Sequence, residues 1–562
     1  MSAGSQLLSR RRKDGSLVLS SPLRLEGVQV DIAQKLREQA ALHPDRLLMS
    51  EPDATGARMT ISYAAALAGA RALHGRLLRR GLRPGDRVAS LLPAGIDALR
   101  LRLACLLGGF VHVSLPPHPF RKFSALSSAD EEAGRLWRAV GPKLLAVPAG
   151  HGPLEQAEAV VLDALPDAPP AEDRDGAPKD WTAIFFTAGS TGASKGVPIT
   201  RAMISSCQAA CAVAWPFLAE RPPILIDWMP WHHVFGGLDN IFKMIWNGGT
   251  LHLAPPPSVA NLDDMLDLMV EAHPTLSIGV PLGLKLLLDA YEAGPERVAG
   301  GCKALSHIFF AGAAMEPALW QRLQDFRADM EARTGQRIVI LSGYGATEAA
   351  STMCLVPGDL SLPGALGWPL PGHEVALVET DGCKEIRFRG PNLAPCYLGE
   401  AGPFALPLDE EGFYRTGDAG LLAEDATGTT MLRFDGRIAE DFKLGSGVKV
   451  RAGLLRGQLL RKLGPLARDL VLGGAGGEGL VALVFETPDG TGPALCKALG
   501  EWNRENPGSS TAIRRFDLAR FTPTVEAGEI SAKAQLVQGR ILRNHATLFA
   551  DLAAGRTGHA VD

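Results

Sequence analysis

The densest run of reactive chemistry in the chain is Thr187-Ala-Gly-Ser-Thr-Gly-Ala-Ser-Lys195-Gly-Val. Glycines let backbone N–H groups come close to an anion, hydroxyls donate hydrogen bonds, and a lysine adds positive charge. Thr187, Gly189, Ser190, Thr191, Gly192 and Lys195 are therefore candidate ligands of a polyphosphate. The run is not a Walker A loop. That motif needs glycine directly before the lysine and Ser or Thr after it, whereas here Ser194 precedes Lys195 and Gly196 follows. A helix should also begin at once, yet Val197-Pro-Ile-Thr200 reads as a second short strand; a polar hairpin loop is the alternative. Two further groups invite a metal reading. Cys207 and Cys211 stand four apart, on one face of a helix, but two thiols without further ligands nearby make a poor metal site. His232 and His233 are adjacent, so their rings rarely meet at one ion, and no third ligand is evident.

These residues must be positioned by regular elements, and the spacing of apolar residues shows which. Helical periodicity marks 31–41, 63–80, 99–107, 262–272 and 282–291. Short apolar runs at 87–92, 111–115, 181–186, 222–226, 250–253, 275–280, 307–310 and 337–341 read as strands, several ending in Gly- or Pro-containing turns. The alternation predicts an α/β fold, a large N-terminal domain of helix-covered sheets. After Ala365 helices thin out, and 375–378, 385–388 and 431–434 suggest a small β-rich section. The sequence then starts afresh, with a hinge expected near Asp435–Glu440 and a small mobile α+β domain beyond it: residues 1–434 and 435–562.

The chain has 562 residues, 46 % of them apolar and 21 % charged, which excludes a disordered polymer. A net charge of −4 gives no basic surface for nucleic acid or lipid. Eight cysteines are too few for a disulfide scaffold. The most apolar stretch, 101–115, carries Arg102 and His112 and is shorter than the ~18 residues of a membrane span. The basic N-terminal run is followed by no apolar segment, so no secretory signal is expected, and the compartment expected is the cytoplasm.

The loop at 187–197 resembles the phosphate-binding signature of adenylate-forming enzymes, a superfamily of acyl-CoA synthetases, peptide-synthetase adenylation domains and luciferases. Gly343-Tyr-Gly-Ala-Thr-Glu348, Tyr414-Arg-Thr-Gly-Asp418 and Asp435-Gly-Arg437 resemble its motifs and follow the loop in the expected order; Phe310-Ala-Gly-Ala-Ala314, Pro230-Trp-His-His-Val-Phe-Gly236 and Glu529-Ile-Ser-Ala-Lys533 resemble others. The resemblance implies ATP as co-substrate, with Tyr344 stacked on the adenine, Gly312, Ala313 and Ala314 lining it, and Asp418 and Arg437 on the ribose. Thr347 would bond the α-phosphate, and Glu348 would hold Mg²⁺, a hard ion suited to a carboxylate. His233 would stand beside the reacting carboxylate.

In the C-terminal part the resemblance makes Lys533 the residue that contacts both carboxylate and α-phosphate. Gly445 and Gly447 would border the pantetheine path of CoA. Three positions depart from the superfamily pattern: Ala188 lacks a hydroxyl, Ala439 replaces the hinge Asp or Lys, and Ala532 replaces a glycine. Asp227-Trp-Met-Pro-Trp-His-His, Asn247-Gly-Gly-Thr, Phe388-Arg-Gly-Pro-Asn392 and Gly436-Arg-Ile-Ala-Glu-Asp-Phe-Lys-Leu444 are similar to the feruloyl-CoA synthase branch. The resemblance as a whole implies an ATP-dependent acyl-CoA ligase acting on an aromatic, hydroxycinnamate-type acid. The alternatives are a ligase that loads a carrier protein in trans and a nucleotide-binding relative without catalysis.

Overall fold

The computed structural model describes residues 6–28, 30–115, 131–150, 159–188, 194–312, 315, 317–487, 491–524, 527–530 and 536–561. Helices form where the apolar spacing required them, and side chains close their first turns. Asp31 caps Ile32–Leu42, Ser62 caps Tyr63–Arg79, and Thr200 accepts from Met203 N at 3.2 Å to cap Arg201–Ala214. Each oxygen satisfies an N–H that the helix leaves without a partner.

Among the described residues the strands build a 15-stranded sheet, an 8-stranded sheet, a two-stranded ribbon and a four-stranded sheet. Part of the largest sheet is a parallel array in which Ile224–Asp227, Leu276–Gly279, His307–Phe310 and Val339–Tyr344 lie side by side. In such arrays ligands collect beyond the carboxyl ends of the strands. Here those ends carry Asp227, Gly279, Phe310 and Tyr344, with Trp228, Ala311 and Gly345 next in sequence. Past residue 365 the sheet continues as antiparallel strands, including Glu374–Thr380, Cys383–Arg389, Tyr414–Glu424 and Thr430–Arg437.

The last strand extends further than its apolar run predicts. Asp435, Gly436 and Arg437 belong to Thr430–Arg437, and the chain leaves the sheet only at the turn Ile438–Glu440. Arg451 then clasps this segment, bonding the Asp435 carboxylate at 2.9 Å and its carbonyl at 2.8 Å. An ion pair thus involves Asp435, in the strand just before the turn that holds Ala439, whose methyl cannot form one. Beyond it the four-stranded sheet has its own core on both faces: Leu470, Leu472 and Val484 pack with Leu455, Leu459 and Leu495, and Val471, Val481 and Leu483 with Ile541 and Leu552.

Burial also sets a pH limit on stability. His373 is 1 % exposed, its Nδ1 lies 2.9 Å from the Pro371 carbonyl, and burial lowers its pKa to about 4. His232, His252 and His307 are likewise pushed down to about 4. A depressed histidine is neutral in the fold but charges near pH 6.5 when unfolded, so stability held above 6.5 is lost as pH falls toward 4. For His373 alone the full loss is about 3 kcal/mol. Asp227, raised to about 6 by burial, acts in the opposite direction between its unfolded value and 6. Thermal unfolding followed from pH 7 to 4.5 should show a falling midpoint, and H373Q should flatten the slope.

Candidate functional site

The phosphate-loop candidate sits on an antiparallel hairpin. Trp181–Ala188 pairs with Ser194–Thr200 so that Thr187 faces Lys195 directly. Thr187 and Lys195 are half-buried, and Gly189, Ser190, Thr191 and Gly192 between the strands lie outside the described residues. Strand Tyr397–Gly399 pairs with the second arm, Gly196 opposite Leu398. This brings Lys195 Nζ to 4.8 Å from the centre of the Tyr397 ring and 5.8 Å from that of Phe404, within cation–π range.

Glu348 stands at the end of the parallel array, in the short turn Thr347–Ala349. The loop around it is held in an unusual path. A Cβ on Gly345 would lie 1.6 Å from the Ser351 carbonyl oxygen, so only glycine fits there. Ala350 and Ser351 take positive φ angles of 49° and 99°, a conformation that costs energy in non-glycine residues and must be held by its surroundings. Asn392 does so, donating to the carbonyls of Ala349 and Thr352 at 2.9 and 2.8 Å, and Ala394 N donates to the Glu348 carbonyl at 2.7 Å. The Glu348 side chain is 5 % exposed and accepts from the Tyr397 hydroxyl at 2.7 Å; Tyr414 stands 3.1 Å from that hydroxyl. Among the described residues neutral hydroxyls, and no lysine or arginine, hold this carboxylate. A carboxylate is a hard oxygen donor and fits Mg²⁺.

Asp418 and Arg437, 19 positions apart in sequence, are direct cross-strand partners. Asp418 Oδ2 accepts from the Tyr344 hydroxyl at 2.7 Å, and Oδ1 lies 3.4 Å from Arg437 Nε. Asp418 raises the Arg437 pKa, while burial, then the Asp418 charge, push the Tyr344 phenol well above its ordinary value. Tyr344, expected at the adenine, and Asp418 and Arg437, expected at the ribose, therefore form one connected group. Gly312 is exposed, with φ +81°, just after strand His307–Phe310. Ala313 and Ala314 lie outside the described residues.

The His232–His233 segment is anchored from below by Asp227. That buried carboxylate accepts from Trp231 Nε1 at 2.9 Å, Asn240 Nδ2 at 2.9 Å and Met229 N at 3.2 Å. The chain then enters a π-helical turn, Phe235–Asn240, a feature common at functional sites. A Cβ on Gly237 would lie 1.9 Å from the Trp231 carbonyl oxygen, which accounts for the glycine there. The ring centres of His232 and His233 are 4.9 Å apart.

Cys207 and Cys211 gain neighbours the sequence did not reveal. Asp239 lies within reach of both, but Lys243 Nζ bonds its carboxylate at 3.0 Å and Gln208 Nε2 at 2.8 Å. The positive charge in this buried group is the protein's own ammonium.

Gly447 takes φ +81° in the turn between Phe442–Lys443 and Lys449–Val450, and Gly445 N donates to the Gly477 carbonyl at 2.8 Å. Lys533 lies outside the described residues. The chain flanking it is tied down: Ile530 pairs with Leu536, and the buried Glu529 accepts from Asn544 at 2.9 Å and lies 2.9 Å from His545 Nε2.

Residues 36–398, more than half of the chain, match the AMP-binding enzyme family. The chain belongs to that family. Among its curated relatives, the isonitrile lipopeptide synthase of Streptomyces coeruleorubidus is 29 % identical over 507 residues, 84 % of this chain and 31 % of that protein. A methyl-dioxo-octahydroindenyl-propanoyl:CoA ligase of Mycobacterium tuberculosis is 29 % identical over 422 residues, 73 % of this chain and 76 % of its own. The chain therefore spans less than a third of the first relative and about three quarters of the second. The o-succinylbenzoate CoA synthetase of Bacillus subtilis, solved with an acyl-adenylate intermediate, superposes with a TM-score of 0.70 at 21 % identity, covering 90 % of this chain and 97 % of that one. This likeness establishes the α/β adenylate-forming fold. None of these relatives is a feruloyl-CoA synthase. No helix among the described residues is long and apolar enough to cross a membrane.

Tyr397 and Asn392, which hold the Glu348 loop, were not legible as functional residues. Asn392 was visible only as part of a Gly-Pro-Asn run, and Tyr397 carried no chemical context in sequence.

Proposed function

We propose that this AMP-binding enzyme is an ATP- and Mg²⁺-dependent acid–thiol ligase that makes acyl-AMP and passes the acyl group to CoA. The observation that carries the reading is the joined set Tyr344–Asp418–Arg437 and Glu348 beside the Thr187–Lys195 hairpin. Asp418, held from both sides, has the acceptor geometry for ribose hydroxyls. The substrate carboxylate oxygen attacks the α-phosphorus, and the bond to pyrophosphate breaks. Mg²⁺ held by Glu348 would neutralise the phosphate charge, while Lys195, Thr347 and Lys533 offset charge on the same phosphates. His233 borders the reacting carboxylate. The CoA sulfur then attacks the acyl carbonyl, and AMP leaves.

The two half-reactions require different surfaces around one acyl-adenylate. Residues 435–562 would therefore move as a domain against residues 1–434, exchanging Lys533 for the Gly445–Gly447 turn. The separate core of the four-stranded sheet supports this. The acid proposed is aromatic, of hydroxycinnamate type, and the place of action the cytoplasm. The CoA ligase among the curated relatives supports CoA as acceptor; the second reading is transfer to a carrier protein in trans.

The test is incubation with ATP, Mg²⁺ and a panel of aromatic and aliphatic acids, with CoA or a carrier protein as acceptor. Acyl-CoA and stoichiometric AMP from a hydroxycinnamate are expected. Thioester on the carrier protein alone would replace the first reading by the second.

A further inference from the structure

Tyr397 touches both halves of the site. Its hydroxyl donates to Glu348 Oε1 at 2.7 Å, and Lys195 Nζ rests 4.8 Å from its ring centre. Topology imposes both contacts. Strand Tyr397–Gly399 is hydrogen-bonded beside Lys195 on one side, and the hydroxyl of Tyr414, the first residue of Tyr414–Glu424, lies 3.1 Å from its own. Phe404 extends the platform, its ring centre 5.4 Å from that of Tyr397.

We propose that Tyr397 is a positioning residue that couples the phosphate-loop lysine to the magnesium carboxylate: its ring carries Lys195 and its hydroxyl orients Glu348. The proposal rests on the reading of Glu348 as the magnesium ligand. A carboxylate held by a hydroxyl loses rotational freedom, so the ion meets a preset oxygen. Removing such an outer partner typically weakens metal binding about 10- to 100-fold. A lysine resting on an aromatic face is restrained without being neutralised, so its charge stays available to a phosphate.

Two variants separate the contacts. Tyr397→Phe keeps the ring and removes the hydroxyl; Tyr397→Leu removes both. ATP binding is measured by calorimetry across a Mg²⁺ series, with AMP in the absence of metal as reference and thermal unfolding as the check on folding. Tyr397→Phe should raise the Mg²⁺ concentration for half-maximal ATP affinity about tenfold and leave AMP affinity unchanged. Tyr397→Leu should show the same shift and also weaken ATP at saturating Mg²⁺ by about two- to fivefold. A wild-type Mg²⁺ dependence in Tyr397→Phe overturns the proposal, as does equal weakening of AMP and Mg·ATP in both variants, the mark of packing alone. A wild-type protein that binds Mg·ATP but activates no acid would refute the ligase reading and leave this binding test decisive for Tyr397. A wild-type protein that does not bind Mg·ATP would overturn both.

Discussion

Lys533→Ala should lower acyl-AMP formation about 10²- to 10³-fold while leaving conversion of supplied acyl-AMP and CoA to thioester largely intact. In adenylation, negative charge accumulates between the incoming carboxylate and the α-phosphate, and an ammonium aimed there stabilises the transition state more than the ground state. In thioester formation that charge departs with AMP, and the proposed domain rotation has carried Lys533 away. Gly447→Leu should give the mirror image. Gly447 has a φ of +81° and open space around its Cβ position, so leucine strains the turn and fills the proposed pantetheine path. Single-turnover assays of each half-reaction read both outcomes. Equal loss of both steps in each variant would contradict alternation and make these residues mere supports of the C-terminal sheet.

Glu348→Gln is the second large effect expected. The substitution keeps shape and volume in a side chain that is 5 % exposed, and it removes the charge. Its amide can still accept from Tyr397, so the loop should hold its path. Adenylation should fall about 10²-fold, on the scale of one lost electrostatic contact, with a raised Mg²⁺ requirement. The rate measured against Mg²⁺ at fixed ATP checks it; a full rate at low Mg²⁺ would remove Glu348 from the metal site.

How much of this was legible in the sequence depends on the range of the contact. The hairpin carrying the phosphate loop followed from two short apolar runs around a Gly/Ser turn, and its Thr187–Lys195 register is a local consequence. Parallel strands such as His307–Phe310 were visible as apolar runs because both faces are buried. Strand ends were less visible: Val339–Tyr344 continues through Gly343, and Thr430–Arg437 through Gly436, where the apolar pattern stops but backbone pairing does not. The Asp418–Arg437 pair was reachable only as a family resemblance, since no periodicity links residues on separate strands. Tyr397 and Asn392 act on Glu348 from more than 40 positions away, and nothing local to them announces it. The same holds for Asp239 and Lys243 behind Cys207 and Cys211, where a thiol pair turned out to neighbour a buried ion pair.

The central claim, that this site adenylates a carboxylic acid, is tested most directly by exchange of labelled pyrophosphate into ATP by the wild-type protein, with and without each acid of the panel and with and without Mg²⁺. The expected result is exchange that needs both an acid and Mg²⁺ and is fastest with an aromatic acid of hydroxycinnamate type. Binding of ATP without exchange for any acid would contradict it and leave a nucleotide-binding protein that does not catalyse.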